Sequence, residues 1–408
     1  MDNLNRKDEN QLKSEIQLIA NTGIQFVDFD FALDKKIVES DLNELKYKIK
    51  NDQKNVSIFG KKNHFVTHNI ENYLEPKSYY SLSDYTQECK ANFADFNDLS
   101  SIDIKEVFNC FANKNKDEHD WFPVPFFRQS DDSEFRYSAL YWCRGYLKLV
   151  EEKGNEFYKY KLVLAFDTKT FSRKEDENIG GIIEKDVEDG SSVYSICTDF
   201  RMIERYCECI NDDNNLAKNP IDLWLRKHME RLLQRTDDFN YNNLIKNCKY
   251  QAFYQALVYF LGSKQVVKIP RVKVKYFGPN TNDAINVDVV IDIGNSRTSV
   301  LLSERDKEIK SSLGDIAPFA MQDLTDPTIV YEQAFPSRIE FAFPTFFDEE
   351  SYPIDKSLDL FQWPSMVRTG FEAEHLNWLL DGSEGVSGIS SPKRYLWDDE
   401  PVQREWVN

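Results

Sequence analysis

The stretch Val-Asp-Val-Val-Ile-Asp-Ile-Gly-Asn-Ser-Arg-Thr-Ser-Val-Leu-Leu, residues 287–302, decides how this chain is read. Two apolar runs flank a tight turn; a carboxylate, Asp292, closes the first run, and glycine and hydroxyls fill the turn. Val289-Val290-Ile291 is apolar enough for a buried central strand. Gly294 lets the backbone turn and approach a ligand with no side chain in the way. Successive backbone N–H groups in such a turn form an anion-binding concavity, and Asn295, Ser296 and Thr298 add neutral donors. Magnesium takes oxygen ligands and keeps several waters, so a single Asp292 suffices to hold it indirectly. The pattern therefore fits a turn that cradles a nucleotide's phosphates. An ordinary hairpin with an Asn-Ser turn fits the periodicity as well.

Working outward, composition sets the class. A chain of 408 residues has room for two or three domains. Hydrophobic content of 41% with 14% aromatics supports real cores and excludes a disordered polypeptide. A net charge of −18 argues against a general nucleic-acid binder, which needs a basic footprint, and against electrostatic attachment to anionic membranes. The polar, acidic start has no apolar core of a signal peptide, and no run reaches the roughly 18 apolar residues of a membrane helix. Seven scattered cysteines read as a reducing compartment, and the expected location is the cytoplasm.

Residues 1–15 read as a flexible polar arm and 16–280 as an α+β accessory region. Within it, 24–31 alternates as a half-buried strand, and 39–50 reads as an exposed helix. Aromatic-rich strands recur at 137–150 and 158–166. Asn219-Pro220 opens a helix whose Ile221, Leu225, Met229 and Leu232 share a face. A second helix spans about 240–261, with Leu244, Cys248, Ala252, Ala256 and Phe260 on one face and Gly262 as its stop. Val272, Val274 and Tyr276 alternate with Arg271, Lys273 and Lys275, giving a strand with one basic face. The break at 278–283 marks the main domain boundary.

The Asp-Ile-Gly-Asn-Ser-Arg-Thr-Ser turn resembles the first phosphate motif of the actin, sugar-kinase and heat-shock-chaperone ATPase superfamily. Three further segments are similar to that group's motifs, in the same order: Pro336-Ser337 within 335–341, Gly370 within 368–373, and Pro392-Lys393-Arg394-Tyr395-Leu396. The spacing from Asp292 to Lys393 is longer than in the chaperones and implies an insertion. Together with Ser390-Ser391-Pro392-Lys393-Arg394-Tyr395-Leu396-Trp397-Asp398, the turn resembles the SrfB family of bacterial virulence factors over about residues 286–400. The resemblance implies an α/β actin-like (ribonuclease-H-type) ATPase first lobe at 286–408 and Mg-dependent ATP binding. Asp292 would act through the metal, Gly294, Asn295, Ser296 and Thr298 would meet the phosphates, and Lys393 would contact the terminal phosphate. The second phosphate loop and adenosine contact of such ATPases are not found before Asn408, so the lobe reads as truncated, with hydrolysis expected only in a longer protein.

Two rivals stand beside this reading. One is a small-molecule kinase of the same superfamily, since type III pantothenate kinases carry a similar turn at the start of their chains. The other is a non-enzymatic interaction or scaffold protein, whose N-terminal region binds an unknown protein partner. The cluster Trp121-Phe122-Pro123-Val124-Pro125-Phe126-Phe127 suits a partner groove or, more simply, a core. Cys197, Cys207 and Cys209 match no common zinc spacing, and His64 and His68 lie in an extended stretch where a four-residue spacing has no helical meaning.

Overall fold

The computed structural model describes residues 15–39, 45–49, 56–59, 100–114, 121–128, 142–154, 156–172, 182–190, 192–196, 203, 224–225, 228–229, 249–263, 265–267, 269–276, 286–304, 316–323, 326–341, 367–379 and 388–393. They fall into two units, the first ending at Tyr276 and the second containing the described residues from Asn286 onward.

The first unit is organised by strand Phe157–Asp167. It pairs antiparallel with Ile24–Leu33 on one side and with Cys143–Lys153 on the other. Its first half alternates between half-buried and buried positions, but Leu162-Val163-Leu164-Ala165-Phe166 is buried without a break. Such a run signals a strand covered on both faces. Short strands Ala112–Asn113 and Phe122–Pro123 complete this sheet along Cys143–Lys153. A second sheet runs Glu15–Ile19, Arg271–Lys275, Val193–Ile196, Phe126–Arg128; its first pair is parallel and the rest antiparallel. Val272 and Val274 are buried while Arg271 and Lys275 are exposed, as the alternation predicts.

Aromatic rings fill the core. Phe108 meets Phe31, Tyr160 and Phe260, and Trp142 meets Phe126, Phe166 and Tyr194. Helix Lys249–Gly262 stops at the expected glycine. It is buried well beyond one face, since Phe253, Tyr254, Leu257 and Leu261 join Ala252, Ala256 and Phe260 inside. The Tyr254 hydroxyl donates to the Pro123 carbonyl at 2.6 Å, which satisfies the one polar group that this ring carries inward. The Trp121 to Phe127 cluster is likewise core, with all seven residues buried.

The second unit is built from small sheets. Val287–Ile293, Arg297–Glu304 and Ile316–Pro318 pair antiparallel in that order, and Phe335–Pro336 joins Arg297–Glu304. Arg338–Phe341 pairs with Val367–Thr369 and with Ile389–Ser390, and helix Gly370–Leu379 packs on that sheet. Gly370 opens the helix at φ +68, a backbone region that favours glycine.

The expected fold class is corrected on both counts. Among the described residues the structure is sheet-rich, 50% strand against 24% helix, with several antiparallel and mixed sheets instead of an α+β region followed by an actin-like lobe. Residues 39–50, expected as a helix, contain strand Lys46–Ile49 paired with Val56–Phe59. Lys-Tyr-Lys-Ile alternates at period two, and pairing with a neighbour overrode its helix-forming lysines. Val289-Val290-Ile291, expected in a buried central strand, lies at a sheet edge with 56%, 58% and 57% of each residue exposed. Periodicity reports how side chains alternate but not how many neighbours a strand has, which is why the apolar run misled. His64, His68, Cys197, Cys207 and Cys209 lie outside the described residues, as does most of the helix expected after Pro220.

Gly145 tests the packing of the first unit. A Cβ there would sit 2.7 Å from the Phe122 ring and 2.9 Å from Val124, both buried. Gly145→Ala is expected to destabilise the fold by about 1–3 kcal/mol, read as a lower urea midpoint at unchanged slope.

Candidate functional site

Residues 287–304 form a hairpin in continuous register, from Val287 opposite Glu304 to Ile293 opposite Thr298. The Gly294 N–H donates to the Arg297 carbonyl at 2.9 Å and closes the turn around Asn295 and Ser296. A Cβ on Gly294 would run into that same carbonyl, so the glycine is required by the turn itself. Bonded and non-bonded pairs alternate along an antiparallel ladder. Counting back from Gly294, residues 292, 290 and 288 turn their backbone groups toward Arg297–Glu304. Val287, Val289, Ile291 and Ile293 turn theirs toward the opposite edge, where no strand pairs among the described residues.

The same parity sorts the side chains. Val287, Val289, Ile291 and Ile293 share one face with Val300 and Leu302 of the neighbouring strand. Asp288, Val290 and Asp292 share the other face with Ser303, Leu301 and Ser299. All seven residues of Val287–Ile293 are exposed.

This geometry divides the expected phosphate site. Asp292 stands opposite Ser299, whereas Thr298 stands opposite Ile293, so their side chains project from opposite faces. The Ser337 hydroxyl donates to the Gly294 carbonyl at 2.9 Å, which leaves the Thr298 hydroxyl to donate to Ser337 Oγ at 2.8 Å. Both protons are thereby engaged in holding the turn. The Ser337 N–H donates to the Ser296 carbonyl at 2.9 Å, and the Ser391 N–H donates to the Ser337 carbonyl at 2.9 Å. Lys393 follows Ser391 by two residues and is half-buried. The Arg297 guanidinium lies 5.6 Å from the Phe371 ring centroid, and that ring stacks on Tyr331 at 4.0 Å.

Ser337 and Phe371, far apart in sequence, thus meet the 294–298 turn, Ser391 bonds Ser337 behind it, and Asp292 and Thr298 are kept apart. Asp292, the side chains of Asn295 and Ser296, and Lys393 are the expected ligands not engaged by these bonds. One exposed carboxylate matches how magnesium is held through waters, so this reduced set fits a metal–phosphate group in part. Among the described residues, no group of three or more His, Cys, Asp or Glu side chains is arranged to hold a metal ion.

A family model described as "Virulence factor SrfB" matches residues 7–407. The chain belongs to the SrfB family. The match spans both units, well beyond the 286–400 stretch whose motifs carry the resemblance. Comparison with curated proteins and with solved structures finds no match. Membership therefore makes this SrfB-family chain a virulence-associated protein, and no ATPase chemistry comes with it. No helix among the described residues is long and apolar enough to cross a membrane.

Sequence reasoning missed a buried ionic cluster in the second unit. The Asp323 carboxylate, fully enclosed, meets His375 Nδ1 at 2.9 Å and accepts from the Tyr331 hydroxyl at 3.3 Å. Arg368 Nε lies 3.5 Å from Glu372, one turn along the chain. Burial pushes the Glu372 carboxyl up to about 7; Arg368 pulls it down, and Asp323 pushes it up further. Burial lowers the Arg368 guanidinium, and Glu372 offsets part of that. His375 and Asp323 are 52 positions apart, so no local pattern in the sequence could have joined them.

The folded Glu372 therefore keeps its proton from its ordinary 4.5 up to about 7, a window in which the unfolded carboxyl has lost it. This stabilising contribution is full below 4.5 and is lost as pH rises through about 7. Urea unfolding at about pH 5 and about pH 7.5 should show a fall of roughly 2–3 kcal/mol in the intact chain. Glu372→Gln should flatten that fall; an unchanged pH dependence would assign it to other groups.

Proposed function

We propose that this SrfB-family chain works by binding a protein partner, which adds an extended strand to the free edge of Val287–Ile293. The observation that carries the reading is the exposure of that strand, apolar at five of seven positions, in a chain whose first unit encloses its apolar strands. Edge strands in soluble proteins are normally blunted by lysine, proline, a bulge or a covering element. This one has none of the first three, and its register is unbroken. Strand addition uses main-chain hydrogen bonds for affinity and alternate side chains for specificity. The proposal keeps the protein partner but assigns the contact to this strand instead of the buried Trp121 to Phe127 cluster. The cytoplasmic location expected from the cysteines belongs to the same proposal.

The test is selection of extended peptides of mixed charge from a display library on the intact chain, followed by binding to Ile291→Pro. Proline there removes an N–H that faces the free edge and leaves the ladder to Arg297–Glu304 in place. Selected peptides are expected to lose at least about tenfold in affinity for the variant, each lost main-chain bond being worth about 1 kcal/mol and the ring adding a clash. Peptides that bind both forms equally would sink the reading.

A second reading, Mg-ATP binding at the turn, is favoured by one observation. Ser337 bonds the 294–298 turn directly, and Ser391, two residues before Lys393, bonds Ser337 from behind, which brings the motif segments into one neighbourhood. In this reading Asp292 holds magnesium through waters, Gly294, Asn295, Ser296 and Thr298 shape the phosphate turn, and Lys393 reaches the terminal phosphate. Isothermal titration of Mg-ATP into the chain and into Asp292→Ala decides it. The reading expects heat in the first and little in the second; equal heats reject it.

A further inference from the structure

We infer that Glu372 is a proton-operated latch: protonated, it lets helix Gly370–Leu379 seat on the paired strands Met321–Gln322 and Val330–Tyr331, and its ionisation loosens that seat. The latch depends on neither binding reading. Phe371 and His375, one helical turn apart, both reach toward that strand pair. Phe371 stacks on Tyr331 with ring centroids 4.0 Å apart. His375 Nδ1 meets the carboxylate of Asp323, the residue after Gln322, at 2.9 Å. The Tyr331 hydroxyl donates to the same carboxylate oxygen at 3.3 Å, and burial with Asp323 beside it pushes that hydroxyl up to about 12. A carboxylate only accepts, so Nδ1 carries its hydrogen in either charge state of the imidazole. The Asp323 clasp therefore holds whichever charge His375 carries.

Glu372 is the group whose charge changes the seat. Its side chain is 11% exposed, and that of Arg368, 3.5 Å away, is 7% exposed. Ionising it sets a second carboxylate near the enclosed Asp323, with the Arg368 guanidinium as the cation beside it. Burial, with Asp323 adding to it, outweighs Arg368 and holds the Glu372 carboxyl up to about 7. Of the other charges around the helix, Arg338 is engaged by Glu340 and donates to Asn377, and Asp326 and Glu374 near Tyr331 are acids. The proton is thus held more tightly with the helix seated than with it released. Seating is firmest below 4.5 and weakens as pH rises through about 7. Phe371 is also the ring against the Arg297 guanidinium, so loosening takes a support from the 294–298 turn.

The experiment is amide hydrogen exchange of the intact chain at about pH 5.5 and about pH 7.5, corrected for the intrinsic pH dependence of exchange. Protection over residues 374–379 is expected to fall at least about tenfold at the higher pH, since each pH unit between the two proton affinities is a factor of ten. Protection over Phe157–Asp167 and Arg297–Glu304 should fall by much less. Glu372→Gln, whose carboxamide cannot ionise, should keep the helix equally protected at both pH values. Equal helix protection at both pH values in the native chain overturns the latch, as does a fall that persists in Glu372→Gln. A matching fall over Arg297–Glu304 also overturns it, because the whole unit would then be opening. Should Glu372→Gln fail to fold, the protonated-carboxyl infrared band of the native chain takes its place. That band should disappear over the same pH range in which the helix loses protection, and its absence at about pH 5.5 counts against the latch.

Discussion

Ser337 is the constraint on which the second unit depends. Phe335–Pro336 belongs to one sheet and Arg338–Phe341 to another, and Ser337 is the residue between them. Its backbone and hydroxyl make four hydrogen bonds, to the Ser296 and Gly294 carbonyls, the Thr298 hydroxyl and the Ser391 N–H. A buried polar group left without its partners costs about 1–3 kcal/mol, so these bonds are expensive to break singly. They hold the hairpin turn against the second sheet and so fix which way the 287–293 strand faces. A turn built this way reads in the sequence as a ligand cradle because the hydroxyls that lock it are the residue types that would meet a phosphate.

The two units handle apolar surface differently. In the first, Phe157–Asp167 has a strand on each side and covered faces, and its aromatic neighbours enclose one another. In the second, Val287–Ile293 has one strand neighbour among the described residues and two exposed faces. At roughly 25 cal/mol per Å² of apolar area removed from water, a strand that covers even part of this face contributes appreciably to its own binding. Such an edge is what the proposed capture of an extended chain would use.

Local elements were legible where side-chain alternation or capping decided them. Strands at Ile24–Leu33, Phe157–Asp167 and Arg271–Lys275 and the stop at Gly262 follow from local pattern. Lys46–Ile49 did not follow, because a partner strand ten residues away settled a segment whose own preference was divided. Ser337 was visible as part of a motif, though its role was not. The Asp323, His375, Glu372 and Arg368 cluster was invisible, since burial alone gives those charges their meaning.

The chain's sequence by itself determined that residues 287–302 form two strands about a glycine turn, with both acids on one face of the first strand and every aliphatic but Val290 on the other. Alternation along a strand is set by backbone geometry, and no tertiary neighbour changes it. Tertiary structure alone decided that this strand has one strand neighbour among the described residues, and that Ser337 braces the turn with Ser391 bonded behind it. Those outcomes depend on which distant segments pair with the hairpin and on which side, and no spacing within sixteen residues carries that information.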